Sequence, residues 1–358
     1  MPAQMARPRS AGGGPAAARR TVLLTGASGV VGGALRQRLG DLDVVCLVHR
    51  SPVSGPNVTT VRGDISKPMF GLAERAYVEL AARVDAVIHC AAVTDFNRTD
   101  GSLEATNIAG TEHVAAFAAA AKAVLYHVST AFVDTTADGD RGRTAVGYAL
   151  SKSAGEQVVR CSGVPHVILR PSVVIGDSVT GEIAAFQGLY QVAAGLFAGM
   201  VPMIPFDPGW PIDFVPADVV ADAIARVVEK RVSEGEFWIT AGERALRLDE
   251  AVVVGVEFAR AVGASIDVPR FVPPEMFDRL IGPVFLDALP GNIRRNVMRM
   301  LEFFTTYLQS GQIKPSSLEQ LVALGARPLP DQRTSLRNSL RYWAARNGYA
   351  QVKTGRAA

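Results

Sequence analysis

Short runs rich in Val, Ile and Leu recur through the first 170 residues, each followed by a stretch of different periodicity. Thr21–Thr25 (TVLLT), Asp43–Val48 (DVVCLV), Val58–Arg62 (VTTVR), Ala86–Cys90 (AVIHC), Val124–Val128 (VLYHV) and Val167–Arg170 (VILR) read as strands. Most are apolar at successive positions rather than at alternate ones, which predicts burial on both faces. Between most of them lie stretches of helical composition, Val30–Leu39, Leu103–Ala121 and Tyr148–Cys161. Strands buried on both faces need helices to cover them. The right-handed crossover rule then makes an α/β fold with a Rossmann-type, doubly wound parallel sheet the simplest topology.

The pattern changes after about residue 175. A Gly/Pro-rich passage, Val201–Pro216, is followed by a helix at Ala217–Glu229, a strand at Glu236–Thr240 and another helix, and residues 265–358 read as helical. The expected division is a Rossmann domain over 21–175, with 213–240 returning to it. A smaller, mainly helical substrate-binding lobe is expected from 176–212 and 241–358. No internal repeat is found.

Composition narrows the class. The chain is 48% hydrophobic and 20% charged, as soluble globular proteins are. Its longest apolar runs, such as Val84–Ala92 and Val124–Ala131, are broken by polar residues and fall short of the ~18 residues of a membrane span. The net charge of +3 misleads, because Arg7, Arg9, Arg19 and Arg20 stand in an acid-free segment and the remainder sums to −1. A body of that charge gives no general case for nucleic-acid binding. Residues 1–20 lack the apolar stretch of a secretory signal and are expected to be a disordered leader, with a transit peptide as the alternative. Cys46, Cys90 and Cys161 form no C-x-x-C pair. They read as reduced thiols, with a cytoplasmic location and no metal site expected.

The segment Thr25-Gly26-Ala27-Ser28-Gly29-Val30-Val31-Gly32 lies between the first strand and the first helix, with glycines spaced G-x-x-G-x-x-G. In a dinucleotide fold the first glycine permits the tight turn, the second admits the pyrophosphate and the third lets the helix pack closely. The second strand ends in His49-Arg50. A fold that selects NAD usually carries an acid there, whereas Arg50 can pair with a 2′-phosphate, which makes NADP(H) the expected cofactor. The alternative is a solvated surface arginine. Asp64 and Ile65, closing the third strand, are placed for the adenine edge, and Ala91-Ala92-Val93 let backbone pass close to the cofactor.

Tyr148-Ala-Leu-Ser-Lys152 sits at the start of a predicted helix, so that i and i+4 share a face. A lysine ammonium beside the phenol would lower the Tyr148 pKa, and Tyr148 could give a proton to a carbonyl oxygen as hydride arrives. Ser129 and Thr130 end the fifth strand, at the sheet edge where ligands bind. Thr130 is the favoured donor to the carbonyl, with Ser129 as a supporting or packing residue. Asn107 lies inside a predicted helix that it suits poorly. It could hold a water or kink the helix near Lys152, or simply face solvent.

TGASGVVG, GDIS, HCAAVTDF, N-x-x-GT, HVSTAFV, YALSK and ILRPSVVIGD stand in the order found in extended short-chain dehydrogenase/reductases. Over roughly residues 21–240 the chain resembles the branch that holds fatty acyl-CoA reductases and thioester-reductase domains. That resemblance implies Thr130, Tyr148 and Lys152 as the catalytic set. It implies that Gly26, Ser28, Gly29, Val30, Arg50, Asp64, Ile65, Ala91 and Lys152 line NADP(H), with Pro171, Ser172, Val173 and Val174 near the nicotinamide. It further implies reduction of an acyl thioester to aldehyde or alcohol. No adenylation or carrier domain is read in this sequence, so the acyl group is expected on coenzyme A or a separate carrier protein.

The C-terminal residues 265–358 carry 13 Lys/Arg against 7 Asp/Glu. They could help to dock such a partner, or be scattered surface charge. An extended-type dehydrogenase or ketoreductase acting on a free hydrophobic ketone, aldehyde or secondary alcohol uses the same catalytic set. A non-catalytic dinucleotide sensor usually lacks the Tyr or the Lys. Phe186, Leu189, Tyr190, Phe197, Met200, Met203, Phe206, Trp210 and Phe303 are the apolar candidates for a substrate pocket, or else core.

Overall fold

Six apolar runs and one later strand make a single parallel sheet in the computed structural model. The structure describes residues 19–94, 100–133, 143–277 and 311–349, with a few isolated positions between 278 and 310. Most of the expected leader, Phe303 and a large part of the expected C-terminal helices lie outside the described residues. The strands are β1 (Thr21–Thr25), β2 (Asp43–Val48), β3 (Val58–Arg62), β4 (Ala86–His89), β5 (Val124–Val128) and β6 (His166–Pro171). They are followed by β7 (Val173–Ile175), β8 (Met203–Ile204), β9 (Pro211–Ile212), β10 (Phe214–Pro216), β11 (Gly235–Ile239), β12 (Leu246–Arg247) and β13 (Arg270–Phe271).

The central sheet runs β3-β2-β1-β4-β5-β6-β11. Every pairing in it is parallel. The strand order reverses between β1 and β4, so the carboxyl ends of these two strands flank the crevice where such sheets bind ligands. β3 is the edge strand and is largely exposed, which accounts for its polar VTTVR.

The helices are α1 (Val30–Arg36), α2 (Glu74–Ala81), α3 (Gly110–Ala121), α4 (Arg143–Cys161), α5 (Leu189–Phe197), α6 (Ala217–Glu229), α7 (Leu248–Ala261), α8 (Leu318–Ala323) and α9 (Gln332–Arg346). Successive strand residues enter different cores. Leu24 and Ile88 pack with Val220, Ile224 and Val227 of α6, whereas Leu23 and Val87 pack with Val114 and Phe117 of α3. That is the physical reason for the unbroken apolar runs. A third core joins α5, α7 and α9 through Tyr190, Phe197, Phe258, Leu336 and Trp343.

Three details differ from the sequence reading. The helix expected over Leu103–Ala121 is a wide π-turn at Glu104–Ala109 followed by α3. α4 begins at Arg143, which places Tyr148 in its second turn rather than at its start. The region expected to be mainly helical also contains the strand pairs β9–β12 and β8–β13, whose strands are each only two residues long.

Candidate active site

The turn after β1 is shaped by close backbone contact. Gly26 has φ +70°, and a Cβ there would lie 2.6 Å from the Ala91 nitrogen at the end of β4. A Cβ on Gly32 would lie 2.2 Å from the Gly26 carbonyl oxygen, so the third glycine packs against the turn itself. Gly29 differs: within 4 Å and beyond its chain neighbours, a Cβ there meets only the Gly26 carbonyl oxygen, at 3.3 Å. Arg36 reaches back from α1 to the Ala27 carbonyl at 3.0 Å and to the Ser54 carbonyl at 2.7 Å, bracing the turn from outside.

A cavity of about 620 Å³ opens on this turn. Gly26, Gly29, Val30 and Val31 line one end, and Ala92 lies beside them at the end of β4. Thr130, Tyr148 and Lys152 line it further along, with Pro171, Ser172, Val173 and Val174 where β6 runs into β7. The structure thus gathers twelve expected residues into one cleft. Ala27, Ser28, Arg50, Asp64, Ile65, Ala91, Val93 and Asn107 do not line it. Arg50 is exposed just beyond β2. Asp64 accepts from the Ser66 backbone (3.0 Å) and hydroxyl (2.7 Å), and lies 3.7 Å from His49. Burial works against its charge, but the Ser66 hydrogen bonds outweigh it and hold the carboxyl below its usual range. The Ile65 carbonyl bonds the His113 ring at 2.7 Å.

Tyr148, Thr130 and Lys152 are all buried, and the Thr130 and Tyr148 side chains are hydrogen-bonded to each other. Burial raises the phenol to about 12, with the Thr130 bond opposing. The lowering by Lys152 expected from the Y-x-x-x-K spacing is not what this geometry gives, because Lys152 turns its ammonium to the Val128 carbonyl at 2.9 Å. Burial brings Lys152 itself down to about 8, with Glu156 and Cys90 opposing. Cys90 is pushed up to about 12 by burial and stays a thiol.

Asn107 is buried inside the π-turn. Its amide donates to the Val93 carbonyl at 3.1 Å and the Ser151 hydroxyl at 2.9 Å, and its oxygen accepts from the Val93 nitrogen at 2.9 Å. It therefore clamps the loop after β4 to α4, and the solvent-facing alternative is excluded. Below it, His89 bridges Thr25 (2.7 Å) and Thr111 (3.2 Å).

Several lining residues escaped sequence reasoning: Cys90, Thr94, Phe132, Ile183, Gln187 and Gln191. Cys90 and Phe132 could have been found from their positions at strand ends, whereas the 183–191 segment carried no signal. Of the apolar pocket candidates, none of those described lines this cavity, and Leu189, Tyr190 and Phe197 belong to the third core. Among the described residues no group of three or more His, Cys, Asp or Glu could hold a metal. No helix among them is long and apolar enough to cross a membrane.

Residues 52–224 match the family described as male sterility protein. A polyketide synthase-nonribosomal peptide synthetase of Aspergillus clavatus is 32% identical over 262 residues, which cover 64% of this chain and 6% of that protein. The chain spans only 5–6% of the length of such curated relatives. Among solved structures, the terminal R domain of the myxalamid PKS-NRPS pathway is similar in fold, with a TM-score of 0.72, 24% identity and 94% of each chain covered. The Bordetella bronchiseptica enzyme WbmG, solved with NAD and UDP, shares the fold at a TM-score of 0.61 and 19% identity, over 95% of this chain and all of that one. Over residues 52–224 the chain is thus similar to the male sterility protein family, and its fold is shared with the terminal R domain.

Proposed function

We propose that the chain is an NADPH-dependent oxidoreductase that reduces an acyl thioester, carried on coenzyme A or a carrier protein, to aldehyde or alcohol. The observation that carries this reading is the single cavity that joins the glycine turn to Thr130, Tyr148 and Lys152. A dinucleotide fits that cavity: Gly29 lines it and leaves the space a pyrophosphate would take. Gly26, Ala27, Ser28, Gly29, Val30 and Val31 would hold the phosphates. Asp64, Ile65, Ala91, Ala92 and Val93 would flank the adenosine, and Arg50 the 2′-phosphate. Pro171, Ser172, Val173 and Val174 would face the nicotinamide. When bound, the nicotinamide supplies the hydride.

The chain's own groups supply the rest. Tyr148, raised to about 12, is fully protonated at neutral pH and holds the proton that the carbonyl oxygen needs. Thr130, bonded to Tyr148, offers a second hydroxyl to the developing oxyanion. Lys152, fixed by Val128, would hold the nicotinamide ribose. Asn107 keeps the β4 loop and α4 in register. Hydride on the carbonyl carbon and a proton on its oxygen, followed by C–S cleavage, release aldehyde and thiol.

The relatives that belong to peptide and polyketide synthetases support the thioester over a free ketone. They also support a carrier protein as the partner. The three cysteines are free, which accords with a cytoplasmic location. NADPH absorbance followed against acyl-coenzyme A thioesters, aldehydes and ketones tests the reading. Oxidation with thioesters is expected, and turnover of free ketones alone would replace it with the ketoreductase reading.

A further inference from the structure

Lys152 is a charged group in a closed space, 3% exposed, and its one hydrogen-bond partner given by the geometry is a neutral carbonyl, that of Val128. An isolated ammonium is costly there unless a counter-charge stands nearby. Each neighbouring element offers candidates. From α4 come Tyr148 and Glu156, from the end of β4 His89 and Cys90, and from β5 His127. Tyr148 and Cys90 stay protonated and neutral. His89 and His127, with ring centroids 5.3 Å apart, are kept uncharged by burial. Neither His127 nitrogen has a partner among the described residues. Glu156 alone of these carries negative charge.

Glu156 follows Lys152 by one helical turn and is 2% exposed. It is held in a fork: Arg170 of β6 donates from Nε to one carboxylate oxygen at 2.8 Å and from Nη2 to the other at 2.7 Å. Arg160, the next turn along α4, donates to Glu156 at 2.8 Å and to Glu236 of β11 at 2.7 Å. Glu236 also meets Arg170 at 2.8 Å, and the Arg170 guanidinium stacks on Trp238 at 4.7 Å. Along α4 the charges alternate, positive at Lys152, negative at Glu156 and positive at Arg160. Burial works against the Glu156 carboxylate, but the Arg170 hydrogen bond outweighs it and keeps it ionised.

We propose that Glu156 is a positioning residue: clamped by Arg170, its carboxylate is the counter-charge that keeps Lys152 an ammonium at the cofactor end of the cleft. The consequence for turnover rests on the reductase reading above, whereas the titration of Lys152 does not. Burial has already brought Lys152 to about 8, so loss of the counter-charge would carry its titration into the neutral range.

Side-chain NMR of the lysines in the full chain, with the Lys152 signal assigned by its loss in Lys152→Met, measures that titration directly. Glu156→Gln is expected to lower it by about one pH unit. Glu236→Gln, at the exposed edge of the cluster, leaves the two arginines to Glu156 alone and is expected to lower it by less. The basic limb of NADPH binding against pH should move down with it, while binding at mildly acidic pH stays near wild type. A role in packing alone would lower the melting temperature and leave the titration in place. An unmoved Lys152 in folded Glu156→Gln, or in Glu236→Gln should the first variant not fold, would overturn the proposal. If the wild-type protein oxidises no NADPH with any thioester, the reductase reading fails, and the Lys152 titration still decides this one.

Discussion

The two ends of the cleft are built in different ways. At the glycine end the walls are backbone: the turn after β1, the end of β4 and the first residues of α1 meet at distances that leave no room for a Cβ at Gly26 or Gly32. At the far end the walls are side chains of the 183–191 segment, among them Ile183, Ala185, Gln187 and Gln191, several of them exposed. One side-chain bond crosses there, from the Thr94 hydroxyl to the Gln187 amide oxygen at 3.2 Å. Backbone pinned to a buried sheet gives one fixed shape, which suits a cofactor that is the same in every turnover. Side chains on a loop can vary without disturbing the sheet, which suits selection among substrates. The residues proposed for catalysis lie on the sheet side of that divide.

The largest expected effect removes chemistry and leaves the architecture. Tyr148→Phe deletes the proposed proton donor, and the turnover number should fall by about 10²–10⁴-fold with NADPH affinity nearly unchanged. Near-wild-type turnover would move the proton to another group. The next effect concerns the sheet. Burial depresses His89 to about 3 and carries His127 well below its usual range, whereas both titrate near 6.5 when unfolded. A depressed folded pKa gives stability that is complete above about pH 6.5 and is lost as pH falls toward 3. The loss is up to about 1.4 kcal/mol per pH unit for each histidine. Urea midpoints should therefore drop steadily from about pH 6.5 downward, and His89→Gln should flatten that slope. A flat profile across the window would show that the histidines are not buried neutral.

Gly29 and Gly32 separate what the protein needs from what its ligand needs. Gly32→Ala puts a methyl 2.2 Å from a carbonyl oxygen and should cost about 1–3 kcal/mol of stability. Gly29→Ala meets its neighbour at 3.3 Å and should cost under about 1 kcal/mol, yet weaken NADPH binding by more than about tenfold as the methyl enters the phosphate space. Equal stability losses in the two variants, with binding intact in Gly29→Ala, would remove the phosphates from this turn. Arg50→Ala sharpens the other end of the cofactor. NADPH affinity should fall by about tenfold, the worth of a charge-assisted hydrogen bond, while NADH is unaffected. An equal loss for both cofactors would assign Arg50 to the protein surface.

What the sequence showed follows the same divide. The bounds of β1, β2, β3 and β5 match the sequence reading, and β4, β6 and β11 differ by a residue at one or both ends. Burial on two faces makes the central runs apolar, and a turn without room for side chains requires glycine. Both are local demands, and local demands leave a local trace. The Glu156–Arg170 pair is different: its halves lie 14 residues apart and meet because β6 pairs beside β5, under α4. The i+4 step from Lys152 to Glu156 was visible, but the guanidinium that fixes the carboxylate was not. Asn107 is an intermediate case, since its poor fit to a helix was legible and its three bonds were not. In the 176–271 region, strands of two or three residues are too short to show any period. Apolar residues such as Phe197 reveal that they are buried but not whether they face core or cavity.

The smallest effect tests the far end by itself. Thr94→Val keeps the shape of the side chain and deletes the hydroxyl that spans the gap to Gln187. Thr94 is exposed, so water replaces the lost partner and stability should change by less than about 0.5 kcal/mol. If the far end selects substrate, the freed loop should raise the KM for thioester by a factor of about two to five, equivalent to under about 1 kcal/mol. NADPH affinity should stay as it was, because none of the backbone contacts at the glycine end is touched. The contrast with Gly29→Ala is the informative quantity, since one variant should move only cofactor binding and the other only substrate binding. A Thr94→Val protein that binds NADPH more weakly, with its thioester KM unchanged, would show the two ends to be one mechanical unit, and the division between a fixed cofactor end and an adaptable substrate end would not stand.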